Sequence, residues 1–301
     1  MSGSMKRLAL LGLLLSVLGC RALPKQDGAT LAILFELERK LPGAGISYVR
    51  AGLVHAQWTG PGPIFIHVLA LDTRRGDLYL KPILAKGRLD GAPDSWENID
   101  VMARRSGALA AISADYPSGP VNVSGFTVID GEIHLAPNPP VRAGVLVSKE
   151  GQVSLGIYDP MLLESETYHQ AIGAGPVLMR QGRFKWDVDE SGNLNGEKMP
   201  FLASVLKEPQ ARGLACLLAD RRTLYLIHGE DRRADLSGMD PDRIEKLLTQ
   251  LNCSDAILLA GGRYAAMSLS GRVQGNSLGR TYPVGNALGI FVRKPVQKSV
   301  K

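Results

Sequence analysis

The residues best suited to chemistry in this chain gather around a strand that stops at a glycine turn. Residues 255–267 read Asp-Ala-Ile-Leu-Leu-Ala-Gly-Gly-Arg-Tyr-Ala-Ala-Met, an apolar run closed by Gly261 and Gly262. Glycine reaches backbone angles closed to other residues and lets a ligand approach the main chain, so a turn of this kind suits the edge of a binding site. The last position of the run, where a catalytic carboxylate would project, is Ala260. Arg263 and Tyr264 follow, either as exposed turn residues or as ligand contacts. Two further groups lie at the ends of apolar runs. Asp115 precedes Tyr116-Pro117, where a carboxylate caps a turn or serves a site. Arg212 stands one residue before Gly213, either as an ion-paired residue or as a clamp for an anion.

These residues need strands to hold them, and the pattern supplies strands. From Pro42 onward short apolar runs alternate with glycine and proline, the signature of sheets with tight connections. Ile64 to Leu71 and Leu78 to Leu84 read as strands joined by the turn at residues 73–77, and Leu109 to Ile112 as a buried strand leading to Asp115. Asp130-Gly131 is a two-residue hairpin signal. Further hairpins are expected around residues 149–151 and 220–222. Residues 186–200, rich in Asp, Gly, Asn and Lys, are expected to form a mobile polar loop. Helices are expected at residues 28–40, at 98–105, and after Asp240. That aspartate is a good N-cap, Pro241 suits the first helical position, and Ile244, Leu247, Leu248 and Leu251 share one face. The fold class is therefore α+β: strand-rich mixed sheets with about three flanking helices in a single domain.

Residues 1–19 have the form of an export signal, with Lys6 and Arg7 before an apolar run from Leu8 to Leu18 that is too short to span a bilayer. Val17-Leu18-Gly19-Cys20 resembles a bacterial lipobox, which makes Cys20 the candidate lipidation site and anchors the protein to the envelope membrane. Cleavage near Ala22 and secretion is the other outcome. Residues 20–42 form a linker with a short helix, 43–293 the domain, and 294–301 a basic tail. The formal charge of +6 largely resides in the signal and the tail, so nucleic acid is not an expected partner. Cys216 and Cys253 are an even pair that forms a disulfide in an oxidising compartment or stays as two buried thiols. The five histidines are scattered, no zinc-ligand spacing is present, and neither metal nor cofactor is expected.

Several segments in order resemble the phosphodiester glycosidase family, found in a mannose 6-phosphate uncovering enzyme and in bacterial envelope and exopolysaccharide proteins. Ala110 to Tyr116 is similar to the family's Ala-Ile-Asn-Gly-Gly/Asp-Phe-Phe segment. Gly173-Ala174-Gly175-Pro176 is similar to its Gly-Gly-Pro loop, Arg212 to Cys216 to its Arg-Thr-Ala-Ile-Gly strand, and Asn286 to Ile290 to its closing strand. Leu-Leu-Ala-Gly-Gly stands where the family has Leu-Asp-Gly-Gly-Gly-Ser. The resemblance covers roughly residues 43–293 and implies hydrolysis of a sugar joined through phosphate. The leaving phosphate needs a cation or backbone donors more than a general acid. The sugar needs a carboxylate near its developing oxocarbenium ion. On that basis Asp115 and Arg212 are the catalytic candidates. Ser113, Gly175, Gly261, Gly262, Arg263, Tyr264 and Asn286 are the candidates for binding a glycan or glycosyl phosphate. Ala260 and Ser113 replace the family's aspartate and asparagine, so a decayed member that binds an anionic glycan or acts as a scaffold is the alternative.

Overall fold

The computed structural model describes residues 27–88, 96–118, 122–123, 125–135, 142–157, 167–197, 206–231, 237–275 and 282–293. Residues 1–19, read as an export signal, Cys20 and residues 294–301 lie outside them. Three large antiparallel sheets and three helices make up the described fold, in agreement with the α+β expectation. The largest sheet has eight strands. Its central members, in spatial order, are Leu53–Gly60, Ile64–Asp72, Thr223–Gly229, Arg212–Leu218 and Cys253–Gly261, and Val177–Arg180 lies next to the last of them.

Both faces of this sheet are buried, which is why its central strands read as almost continuous apolar runs rather than alternating ones. One face packs on two helices. Ile33 and Leu37 of Gly28–Lys40, with Ile244, Leu247 and Leu248 of Pro241–Gln250, meet Val68, Leu214 and Leu258. The Asp240 side chain caps the second of these helices, accepting from the Arg243 N–H at 2.9 Å. Buried Lys40 ties the two helix ends together by donating to the Leu251 carbonyl at 2.7 Å. The opposite face packs on two five-stranded sheets. Leu69, Leu217 and Leu259 meet Ile112 and Leu288 from one, and Val145 and Ile172 from the other. The helix Ile99–Ser106 covers the outer side of the sheet that contains Ala110–Ser113 and Asn286–Val292.

Local signals placed the turns correctly. Asp130 and Gly131 both have positive φ, 54° and 87°, as a tight two-residue hairpin demands. The polar run after Trp186, expected as a mobile loop, carries local hydrogen-bonded order where it is described. Its described part, residues 186–197, is pinned by Asp189 Oδ1, which accepts from the N–H groups of Ser191 and Asn193. Asn195 Nδ2 adds a bond to the Val177 carbonyl at 2.6 Å.

Cys216 and Cys253 form a disulfide across two neighbouring strands, with a sequence separation of 37. Cross-linking a loop of that length removes about 4 kcal/mol of denatured-chain entropy. The Cys216→Ala/Cys253→Ala variant is expected to lose about 2–4 kcal/mol in denaturant unfolding, with the native sheet intact.

Candidate active site

The loop after Ala110–Ser113 crosses the end of the large sheet, where the Ala260 N–H donates to the Ala114 carbonyl at 2.9 Å. This crossing carries Asp115 and Tyr116 into the interior. Asp115 is held from three sides. Its N–H donates to Asn286 Oδ1 at 3.1 Å, and its carboxylate accepts from the Tyr116 N–H at 2.8 Å and from the Gly125 N–H. Arg142, wholly buried at the start of Ala143–Ser148, places Nη2 3.4 Å from Asp115 Oδ1 and 3.0 Å from the Ala174 carbonyl. Its other arm reaches Glu197, with Nη1 3.3 Å from Oε2. One guanidinium thus bridges two carboxylates.

Glycines make the space. A Cβ at Gly125 would overlap the Asp115 carboxylate, and one at Gly175 would overlap the Glu197 carboxylate. Gly175 also has φ +102°, so the Gly-Ala-Gly-Pro loop needs glycine there on both counts.

Arg212 enters from the facing strand and is fully buried. Its Nε donates to the Met239 carbonyl and its Nη2 to the Glu208 carbonyl, both at 3.4 Å, and its guanidinium lies 5.9 Å from the centre of the Trp186 ring. Tyr116 joins the two halves of the cluster. Its hydroxyl donates to the Leu259 carbonyl at 2.6 Å, and Arg212, Arg142, Glu197 and Asp115 all act on it electrostatically. The structure therefore brings Asp115 and Arg212 into one neighbourhood.

Burial governs protonation here. It pushes the Asp115 carboxyl up to about 6, against the opposing pull of Arg142 and the N–H groups of Tyr116 and Gly125. It pushes Glu197 up to about 7, opposed by Arg142 and the N–H groups of Ala143 and Val177. Burial also lowers Arg212, countered by Tyr116, Asp231 and Asp240, yet an arginine keeps its charge. Of the side chains of Asp115, Arg142 and Glu197, only that of Glu197 keeps any solvent exposure, 5 %, and its two carboxylate oxygens are themselves buried.

The other sequence candidates fall in different places. Asn286 supports Asp115 directly. Gly261 pairs with Arg212 across the strands, and Gly262, with φ +57°, packs on Gln210. The Ser113 hydroxyl is committed to the backbone of Ala266, accepting from its N–H at 2.9 Å. Arg263 stacks on Tyr264 and Tyr282, at 4.9 Å and 5.5 Å from their ring centres. Tyr264 packs with the outer helix and edge-on to Trp96. Neither belongs to the carboxylate–arginine cluster.

A second buried polar group lies on the other face of the large sheet. His55 Nε2 and His67 Nδ1 are 3.2 Å apart, and His67 Nε2 is 3.5 Å from Glu230 Oε1. His228 pairs with His67 across the strands. Burial, reinforced by His67, lowers both His55 and His228 to about 4. Among the described residues no group of three or more His, Cys, Asp or Glu side chains is arranged to hold a metal ion.

Fold and site together define an α+β protein organised around buried carboxylates and arginines at the end of an antiparallel sheet. A family model described as phosphodiester glycosidase matches residues 106–291, more than half of the chain, and the chain belongs to that family. Among solved structures it is similar to the catalytic domain of zebrafish N-acetylglucosamine-1-phosphodiester alpha-N-acetylglucosaminidase, a protein auto-inhibited by its pro-peptide. The TM-score is 0.63 at 18 % identity, covering 84 % of each chain. It is also similar to a hypothetical protein from Synechocystis, with a TM-score of 0.66 at 14 % identity. That match covers 84 % of this chain but only 64 % of the Synechocystis chain, less than two thirds of its length. No curated protein matches the sequence.

Proposed function

We propose that the protein hydrolyses a glycosyl phosphodiester, with Glu197 as the reacting carboxylate and Arg212 as a clamp on the phosphate. The observation that carries this reading is the bridging of Asp115 and Glu197 by Arg142. Glycosidases work with carboxyl pairs about 5–9.5 Å apart, and oxygens touching opposite arms of one guanidinium lie within that upper bound. The two carboxylates are not equivalent. Both Asp115 oxygens already accept backbone N–H donors, so Asp115 positions Arg142. Glu197, whose side chain is slightly less enclosed than that of Asp115 and whose carboxyl burial pushes up to about 7, suits a general base at neutral pH.

In the proposed reaction a water oxygen attacks the anomeric carbon while Glu197 takes its proton. The bond from that carbon to the phosphate oxygen breaks, and the phosphate monoester leaves with the electron pair without needing to be protonated. The guanidinium groups offset the charge that develops on it. We further propose that the protein is exported to a bacterial envelope and lipid-anchored through Cys20, a reading supported by the basic start, apolar run and Val17-Leu18-Gly19-Cys20 of its first twenty residues.

The decayed alternative rests on Ala260 and on the closure of the cluster, where Asp115, Arg142 and Arg212 are wholly or almost wholly buried. One experiment separates the two. Purified protein is expected to release sugar from methyl phosphodiesters of hexose 1-phosphates, and Arg212→Ala to cut that release by about 10²–10³-fold. Wild-type protein inert toward a panel of such substrates would select the non-catalytic reading.

A further inference from the structure

A cavity of about 790 Å³ opens at the far end of the same strands. Arg212–Leu218 runs from the catalytic cluster to this cavity, a span of about 20 Å at strand rise, and Cys253–Gly261 and Val177–Arg180 run between the same two ends. The walls are tight polar turns, at residues 73–76, 150–152 and 220–222, so charged side chains project where the backbone turns. Six of the lining residues are arginines. Arg75 is neutralised by Asp27 and Asp77, and Arg180 and Arg221 both pair with Asp255. Arg74, Arg222 and Arg293 are exposed and make no ion pair among the described residues, although Arg293 leans on the Tyr79 ring at 5.6 Å.

The two lining carboxylates are turned toward their own loops. Asp220 accepts from the N–H groups of Arg222 and Thr223, and Glu150 accepts from the Ser148 hydroxyl. The cavity therefore holds an excess of positive charge over a floor that includes Leu71, Leu78 and Leu155. Cations above an apolar floor match a phosphate carried on a glycerol and acyl stem better than a uniformly polar sugar chain.

Chain geometry points to the same occupant. Asp27, the first described residue, is fixed at the rim through Arg75. Cys20 precedes it by seven residues in the sequence, a reach of at most roughly 25 Å of extended chain. Arg293 is the last described residue at the cavity, and Lys294, Lys298 and Lys301 follow it in sequence. The first and the last described residues thus both lie at the cationic face.

We propose that this cavity binds the phosphates of anionic phospholipid headgroups, seating the protein on a membrane with the Glu197 end of the strands directed away from it. Surface arginines each add roughly tenfold or less to binding of an anionic leaflet, and the effect falls off within a Debye length.

The test uses full-length protein and vesicles of phosphatidylcholine, alone or with about a third phosphatidylglycerol, near physiological salt. An acyl anchor partitions into both kinds of vesicle, so the ratio of the two affinities isolates headgroup charge. Wild type is expected to prefer the anionic vesicles, and Arg74→Glu/Arg222→Glu/Arg293→Glu to lose about 100-fold of that preference. The variant should keep the wild-type unfolding midpoint and the wild-type turnover of soluble substrate, because none of the three residues touches the catalytic cluster. An unchanged preference in the variant overturns the proposal. So does tight binding of free polygalacturonate by wild type, lost in the variant, without any phosphatidylglycerol preference. That outcome assigns the cavity to acidic glycans.

Discussion

On the proposed hydrolysis of a glycosyl phosphodiester, replacing Glu197 by glutamine is expected to lower turnover by about 10²–10⁴-fold while leaving the fold intact, the range set by loss of a positioned general base. Glutamine keeps the size and polarity of glutamate and still packs against Gly175, so the loss reads proton transfer rather than shape. The pH profile makes the claim specific. The proposed mechanism needs Asp115, pushed up to about 6, and Glu197, pushed up to about 7, both ionised, so kcat/KM is expected to rise with pH through both steps and level off above the second. The two apparent values belong to the coupled pair, since both groups contact Arg142. In Glu197→Gln the upper step disappears and only the lower remains. If the variant keeps wild-type rates, or keeps the step near 7, Glu197 is not the base.

Most of the frame was legible in the sequence because its signals are local. The Asp240 cap, the Asp130-Gly131 turn and the apolar runs on either side of them depend only on neighbouring residues, and each appears where its chemistry requires. The site was legible only in part. Of the candidate cluster, Asp115, Arg212 and Asn286 were named from the sequence because they sit at strand ends within segments that resemble the family.

Arg142 and Glu197 gave no such signal. Arg142 follows Pro139-Pro140-Val141 as one more cation at the start of a hairpin, and Glu197 closes a polar run that looked solvated. Their partnership depends on the antiparallel pairing that sets Gly144 opposite Gly173, and on a glycine loop that leaves room for a carboxylate. The histidines show the same limit. His67 and His228 are far apart in sequence and directly opposed in the sheet, a contact that only strand register creates. Arg263 and Tyr264 show the reverse error in reasoning from adjacency. They follow the glycine turn directly, yet the one-turn helix Gly262–Tyr264 swings Tyr264 onto the outer helix layer and away from Asp115.

Arg142→Met is expected to be the most destabilising single change at the site, by about 3–5 kcal/mol at pH 8, because it leaves two carboxylates without their shared cation. Methionine fills much of the removed volume, so the cost is mainly electrostatic. The sign of its pH dependence follows from the direction of the shifts. Both carboxyls are already raised in the folded protein, and removing Arg142, which lowers both, raises them further. A carboxyl raised on folding adds stability when protonated and loses it as pH climbs from the unfolded value toward the folded one. The variant should therefore approach wild-type stability near pH 4.5 and fall progressively behind it through pH 7 and above. Denaturant unfolding at pH 4.5, 6 and 8 measures this, and adding Asp115→Asn and Glu197→Gln should recover most of the loss at pH 8. A deficit of the same size at every pH, left unrepaired by the two amides, would mean that Arg142 contributes packing rather than charge. The bridge between the carboxylates would then be incidental to the fold.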